Sequence, residues 1–150
     1  MKILFASDSF KGSLSSKRIA ELLDETAHEV FPEAETGKVL VADGGEGTMD
    51  TVLEELHGTY RKIKVKGPLG EEREAEYGIL PGGRAMIEMA AASGLPLVPE
   101  DQRNPRKTTS YGTGMLIADA LGQGIRDIMI GIGGSATNDG GMGAMSALGI

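Results

Sequence analysis

The segment Ile128-Met-Ile-Gly-Ile-Gly-Gly-Ser-Ala-Thr-Asn-Asp-Gly-Gly141 passes from a short apolar run into a glycine-rich loop that carries hydroxyls, an amide and a carboxylate. Glycines let backbone N–H groups approach an anion with no side chain in the way, and a helix starting just beyond adds its positive end. The loop therefore reads as a phosphate-handling one. Gly133, Gly134, Ser135, Thr137 and Asn138 are its candidate binding residues, and Asp139 is its candidate catalytic or magnesium-binding carboxylate. Two other segments repeat the design: Ile3-Leu-Phe-Ala-Ser-Asp-Ser-Phe-Lys-Gly-Ser13 and Val39-Leu-Val-Ala-Asp-Gly-Gly-Glu-Gly-Thr48. Three such loops in one chain predict one shared pocket.

Outward from these loops the chain reads as α/β. Ile3 to Ala6 is a β-like run, and Ile19, Leu22, Leu23, Ala27 and Val30 then recur at helical spacing, with Ser15 or Ser16 as N-cap. Lys38 to Ala42 repeats the strand, and Met49, Val52, Leu53 and Leu56 form a second helical stripe that Gly58 can end. Two strand-loop-helix units predict a parallel sheet with both loops at its carboxyl edge, where such folds bind ligands. Beyond Thr59 the pattern changes. Tyr60 to Lys66, Glu71 to Ile79 and Arg84 to Met89 read as strands, the first two joined by the turn Gly67-Pro-Leu-Gly70. A domain boundary is expected near residues 64–67, giving a first domain over 1–65 and the start of a second over 66–150. Leu95 to Thr109 reads as a polar connection, Gly114 to Leu121 as a helix, and Asp127 to Ile132 as the strand that feeds the third loop.

The first loop offers Lys11 as a point charge toward phosphate or carboxylate, Ser9 and Ser13 as hydrogen-bonding hydroxyls, and Gly12 for close approach. The bland alternative is a surface turn with a solvated lysine. In the second loop Asp43 and Glu46 bracket Gly44 and Gly45. Magnesium is usually held by one or two carboxylates plus phosphate oxygens and water, which makes both acidic residues candidate ligands. Glu46 has the competing explanation of a carboxylate at a helix start. For Asp43, metal ligand and acceptor for a substrate hydroxyl both remain open. The third loop also fits a loose dinucleotide-binding pattern, Gly131-x-Gly133-x-x-Ala136, but continues with a second glycine pair and a carboxylate that such loops do not require. No Gly-x-x-x-x-Gly-Lys-[Ser/Thr] sequence is present.

Bulk composition narrows the classes further. The 150 residues carry a formal net charge of −7, which opposes nonspecific nucleic-acid binding. There is no cysteine, hence no disulfide framework or thiol chemistry, in keeping with a cytoplasmic location. The apolar run at Ile3 to Ala6 is too short for a signal peptide core or a membrane span. His28 and His57 fall late in expected helices, where capping or surface roles are the default. The methionines at 86, 89, 115, 129, 142 and 145 read as core filling, and Glu88, inside an apolar run, must be paired, exposed or functional.

DSFKGSLS at Asp8 to Ser15, ADGGEGT at Ala42 to Thr48, IEMAAASGLPL at Ile87 to Leu97, YGTG at Tyr111 to Gly114 and GIGGSATNDGG at Gly131 to Gly141 resemble, in order, the blocks of the ATP-dependent glycerate kinases sometimes called type I. Ser7, where the family usually has proline, and Arg106-Lys107 depart from the pattern. The resemblance implies transfer of the ATP γ-phosphoryl group to a hydroxyl of glycerate, with Mg2+. It implies a flavodoxin-like doubly wound parallel sheet, begun here and incomplete, with a second α/β domain inserted into it. It further implies that Lys11 and the loop amides hold anionic groups, that Asp43 or Asp139 binds magnesium, and that Asp8 accepts the hydroxyl proton. Arg103, on a family-like position, is the preferred cation for ATP phosphate or the glycerate carboxylate. Family members are longer, and the chain is expected to be an N-terminal portion, inactive alone, with a helix running uncapped into Ile150. A nucleotide-dependent oxidoreductase and a noncatalytic phosphate- or organic-acid-binding module are the alternative readings.

Overall fold

A computed structural model describes residues 1–10, 13–41, 43–45 and 47–150. Lys11, Gly12 and Glu46 therefore lie outside the described residues. The chain divides into two compact units, Met1–Asp43 and Gly44–Ile150.

In the first unit β1 (Lys2–Ser7) and β2 (Glu35–Leu40) pair in parallel, joined by α1 (Ser16–Val30), which packs on both. Ser15 caps the helix by accepting the Arg18 amide at 3.2 Å. Ser16, the other candidate, instead donates its hydroxyl to the Val41 carbonyl at 3.3 Å and ties the helix start to the end of the second strand. This is the expected strand-loop-helix-strand unit.

The second unit contains α2 (Thr48–Leu56), β3 (Thr59–Lys66), β4 (Glu72–Leu80), β5 (Arg84–Glu88), α3 (Met89–Ser93), α4 (Tyr111–Gly122), β6 (Asp127–Gly131) and α5 (Met142–Ala147). Its sheet has the order β3-β4-β5-β6; the first three strands are antiparallel and β6 is parallel to β5. Register across the first hairpin sets Lys62, Lys64 and Lys66 opposite Glu76, Glu74 and Glu72, so opposite charges face each other across the ladder. Side-chain alternation then sorts the core. Val65, Ala75, Tyr77, Ala85 and Ile87 meet Leu116 and Ala120 of α4, while Leu80 and Met86 meet Met49 and Leu53 of α2.

That sorting departs from the expected organisation. The apolar stripe of α2 is used on β4 and β5, and β3 is in register with β4 along its whole length. The expected boundary at residue 65 thus falls inside a strand. Three smaller expectations are corrected. α2 ends on His57 in the left-handed region (φ 55°), not on Gly58, whose amide returns to the Leu53 carbonyl at 2.9 Å. Met142 (70% exposed) and Met145 (40%) are outside the core. Finally, α5 stops at Ala147. Gly149 turns left-handed (φ 85°) and the Ile150 amide bonds back to the Met145 carbonyl at 3.1 Å, a glycine-closed end where an uncapped one was expected. Among the described residues no helix is long and apolar enough to cross a membrane.

Candidate functional site

In the second unit the glycines that follow Asp43 meet the third loop backbone to backbone. The Gly133 amide donates to the Gly44 carbonyl at 2.9 Å. A Cβ at Gly131 would lie 2.6 Å from that same oxygen, and one at Gly133 would lie 2.6 Å from the Gly45 Cα. Real Cβ atoms do not tolerate such distances, so glycine is required at both positions by the neighbouring loop. The spacing that resembled a dinucleotide fingerprint has this other cause.

The junction forms at the carboxyl ends of the parallel pair β5–β6, where Glu88 and Gly131 are register partners. Glu88 is 6% exposed, and its Oε1 accepts the Met49 amide at 2.6 Å at the start of α2. The pattern of β5 explains this: Glu88 points to the same face as Met86, the face that α2 covers. Reading the sequence flagged Glu88 as anomalous without assigning it to the site. The structure makes it the carboxylate that fills the positive end of α2.

The third loop is fixed along much of its length. Leu95 donates to the Gly134 carbonyl (2.8 Å), Ala136 to the Ser93 carbonyl (2.9 Å) and Asn138 to the Pro105 carbonyl (3.0 Å). The Thr108 hydroxyl donates to the Ala136 carbonyl and the Thr137 hydroxyl to the Thr108 carbonyl, each at 2.7 Å. Ser135 accepts the Thr137 amide at 3.2 Å and donates to the Thr137 carbonyl at 3.1 Å. Gly134 and Asn138 are exposed.

Asp139, the carboxylate of the loop, accepts hydrogen bonds at both oxygens. Its Oδ1 accepts from the Ser110 hydroxyl (3.0 Å) and the Gly141 amide (2.9 Å). Its Oδ2 accepts from the Ser110 amide (2.8 Å), the Ser110 hydroxyl (2.8 Å) and the Gly143 amide (3.2 Å). Burial works to raise this carboxyl, but the Ser110 amide and hydroxyl and the Gly141 and Gly143 amides outweigh it and hold it below the usual carboxylate value. Ser110, the N-cap residue of α4, is 1% exposed and accepts the Ala144 amide at 3.0 Å, so one hydroxyl joins α4, α5 and the loop. Nothing in the sequence singled Ser110 out beyond a serine just before Tyr111-Gly-Thr-Gly, an ordinary helix-start signal.

In the first unit Asp8 accepts the Ser9 amide at 2.7 Å, and Phe10 and Leu14 exchange backbone hydrogen bonds on either side of Lys11 and Gly12. Ser13 and Asp43 are exposed. In the second unit the Arg103 guanidinium reaches the Val98 carbonyl at 3.3 Å and Glu100 at 3.8 Å. A cavity of about 160 Å³ lies beside Glu88, lined also by Ala90, Ala91, Pro96 and Leu97. It has no cation in its wall, so it does not suit the carboxylate of an organic acid. No group of three His, Asp or Glu side chains capable of holding a metal occurs among the described residues. A magnesium ion here would depend on one or two carboxylates and on phosphate oxygens, the usual arrangement for this ion in kinases.

Comparison with known proteins adds the context. Residues 3–150 match the glycerate kinase family. The chain is 53% identical over 150 residues to the glycerate 2-kinase of Escherichia coli K12 and 53% identical to the glycerate kinase of Bacillus subtilis 168. Each alignment covers 99% of this chain and 39% of the relative, so the chain spans about two fifths of the length of these relatives. A crystal structure assigned to glycerate kinase 2 of Salmonella typhimurium LT2 superposes with a TM-score of 0.78 at 50% identity, covering 99% of this chain and 40% of that one. With the family match running from the first strand to the last residue, through all three glycine loops, the chain belongs to the glycerate kinase family.

Proposed function

We propose that the protein carrying this chain transfers the γ-phosphoryl group of ATP to a hydroxyl of glycerate. The observation that carries the reading is the Gly133 amide on the Gly44 carbonyl, which joins two glycine-rich loops at the carboxyl edge of β5–β6, together with family membership. Phosphoryl transfer requires little covalent chemistry from a protein; positioning, charge neutralisation and a proton acceptor suffice. The hydroxyl oxygen attacks the γ-phosphorus, the bond to the β,γ-bridging oxygen breaks, and the hydroxyl proton passes to a carboxylate. Phosphoglycerate and ADP result.

In this scheme Lys11, Ser9, Gly12 and Ser13 hold anionic groups, with Gly133, Gly134, Ser135, Thr137 and Asn138 as the second phosphate-handling surface. Arg103 serves the glycerate carboxylate or an ATP phosphate. Asp8 takes the hydroxyl proton. Asp43, with Glu46, supplies carboxylate to Mg2+, whose chemistry when bound is neutralisation of charge on the transferred phosphoryl group. The first unit then forms part of a flavodoxin-like doubly wound sheet into which the second unit is inserted, in a cytoplasmic enzyme. The dinucleotide reading loses its support, because Gly131 and Gly133 are explained by their contact with Gly44 and Gly45.

The test is a coupled assay of ADP release by the natural full-length protein with ATP, magnesium and D-glycerate. Glycerate-dependent turnover is expected. Absence of turnover, combined with NAD(H) binding that survives magnesium removal, would overturn the proposal in favour of an oxidoreductase.

A further inference from the structure

We infer that Asp139 is a positioning residue, an internal anion that locks the third glycine loop onto the starts of α4 and α5, and that it is not a metal ligand. The inference rests on the kinase reading for its functional consequence but on geometry for its substance. An ionised carboxylate offers about four lone-pair sites. Two backbone amides and the Ser110 amide and hydroxyl already address them, at 2.8 to 3.2 Å. A hard cation would have to displace several of these donors; the Ser110 donors would then be left buried and unpaired at a cost of about 1–3 kcal/mol, and the half-buried Gly141 and Gly143 amides would lose their acceptor as well.

The surrounding packing leaves the staple little freedom. A Cβ at Gly143 would lie 2.2 Å from the Thr109 hydroxyl oxygen, 2.7 Å from the Tyr111 nitrogen and 2.8 Å from Asp139 Oδ2. A Cβ at Gly114 would lie 2.4 Å from the Ala144 carbonyl oxygen. α4 and α5 therefore meet at backbone distance, and Asp139 sits in that seam. The other end of the loop is held by Gly133 on Gly44 and by Leu95 on the Gly134 carbonyl. Between the two anchors the Gly134 amide donates to no acceptor among the described residues, and Gly134 is exposed. The staple fixes where that amide points, and so fixes the anion position of the proposed site.

The experiment compares wild type, Asp139→Asn and Ser110→Ala in the natural full-length protein, with Asp101→Asn as a surface control. Asparagine keeps one acceptor and turns the other oxygen into a donor aimed at amides, while alanine at 110 leaves the carboxylate intact and removes one hydroxyl. Amide hydrogen exchange across residues 131–144 is expected to accelerate in both variants and not in the control. For a lost supporting partner kcat is expected to fall about 10- to 100-fold in Asp139→Asn, with magnesium half-saturation unchanged to within about twofold. Should Asp139→Asn not fold, Ser110→Ala carries the same two readouts. Half-saturation by magnesium raised about tenfold or more, with loop exchange unaltered, would make Asp139 a metal ligand and overturn the inference. A lowered melting temperature with kcat intact well below it would reduce Asp139 to a structural role and also overturn it. A wild-type protein that does not phosphorylate glycerate overturns the functional reading alone, since hydrogen exchange still decides whether Asp139 holds the loop.

Discussion

Glu88 and Asp139 occupy the places where an unliganded loop would show bare amides: one carboxylate receives the first turn of α2 and the other the starts of α4 and α5. For Glu88→Gln the charge–dipole and charge-assisted parts of the Met49 contact disappear while the shape is kept, so a loss of about 1–2 kcal/mol is expected in denaturant unfolding. The Arg61–Asp119–Tyr77 cluster gives a pH prediction. The Arg61 guanidinium, hydrogen-bonded at 2.6 and 3.1 Å, holds the Asp119 carboxyl below its ordinary value, so the stability it contributes is present above that value and is lost as pH falls through the folded one. Burial first, and then the hydrogen bond donated to Asp119, push the Tyr77 phenol up to about 12 from 10.0. A raised pKa means stability that is complete below 10.0 and lost as pH rises toward about 12. Denaturation midpoints measured through that window should fall less steeply in Tyr77→Phe than in wild type; a residual slope is expected because Tyr60 is raised to about 12 as well. In the full-length enzyme Lys11→Met should lower turnover by about 10²-fold, as for one lost transition-state contact, with melting temperature preserved. Arg106→Ala should do far less, and equal losses in the two would mean that the first loop is not the phosphate site.

Among the elements, the helix pair α4–α5 offers the sharpest contrast. Gly114 and Gly122 both lie in α4. An added Cβ at Gly114 would meet the Ala144 Cα at 2.6 Å, whereas one at Gly122 has nothing within 4 Å. Gly114→Ala should therefore cost about 1–3 kcal/mol, as backbone must move, while Gly122→Ala should be neutral or gain up to about 1 kcal/mol from helix propensity. Thermal unfolding of the two variants checks the pair, and a Gly114 variant as stable as wild type would show that α5 does not pack as described. The strands were legible from alternation and turn chemistry, because Gly67-Pro-Leu-Gly70 and the facing lysines and glutamates specify the first hairpin locally. The partner of α2 was not. An apolar stripe states that a helix is buried, not which sheet buries it, and only the register that puts Leu80 and Met86 on one face settles that Met49 and Leu53 belong there.

At the scale of the molecule, β1 and β2 form a parallel pair with α1 on it, yet Leu4 (67% exposed) and Val39 (48%) lie open on the strands. Parallel sheets are ordinarily covered on both faces. Residues 1–150 expressed alone are accordingly expected to give no glycerate-dependent ADP release; robust turnover by this piece would refute a site completed by other parts of a longer enzyme. What the sequence by itself determined is local: a strand feeding each glycine loop, a serine cap at position 15 or 16, the hairpin from Thr59 to Leu80, and the family, since these depend on residues near one another in the chain or on ordered blocks of it. Tertiary structure alone decided what the loop residues do. Gly131 and Gly133 are glycines because Gly44 and Gly45 press against them, Glu88 is tolerated in an apolar run because the Met49 amide waits on that face, and Asp139 is saturated because Ser110 lies beside it. Residues 29 to 89 positions apart make these contacts, and no window of local pattern contains both partners; whether a buried polar group is a ligand site or a staple depends on which donors the fold brings to it.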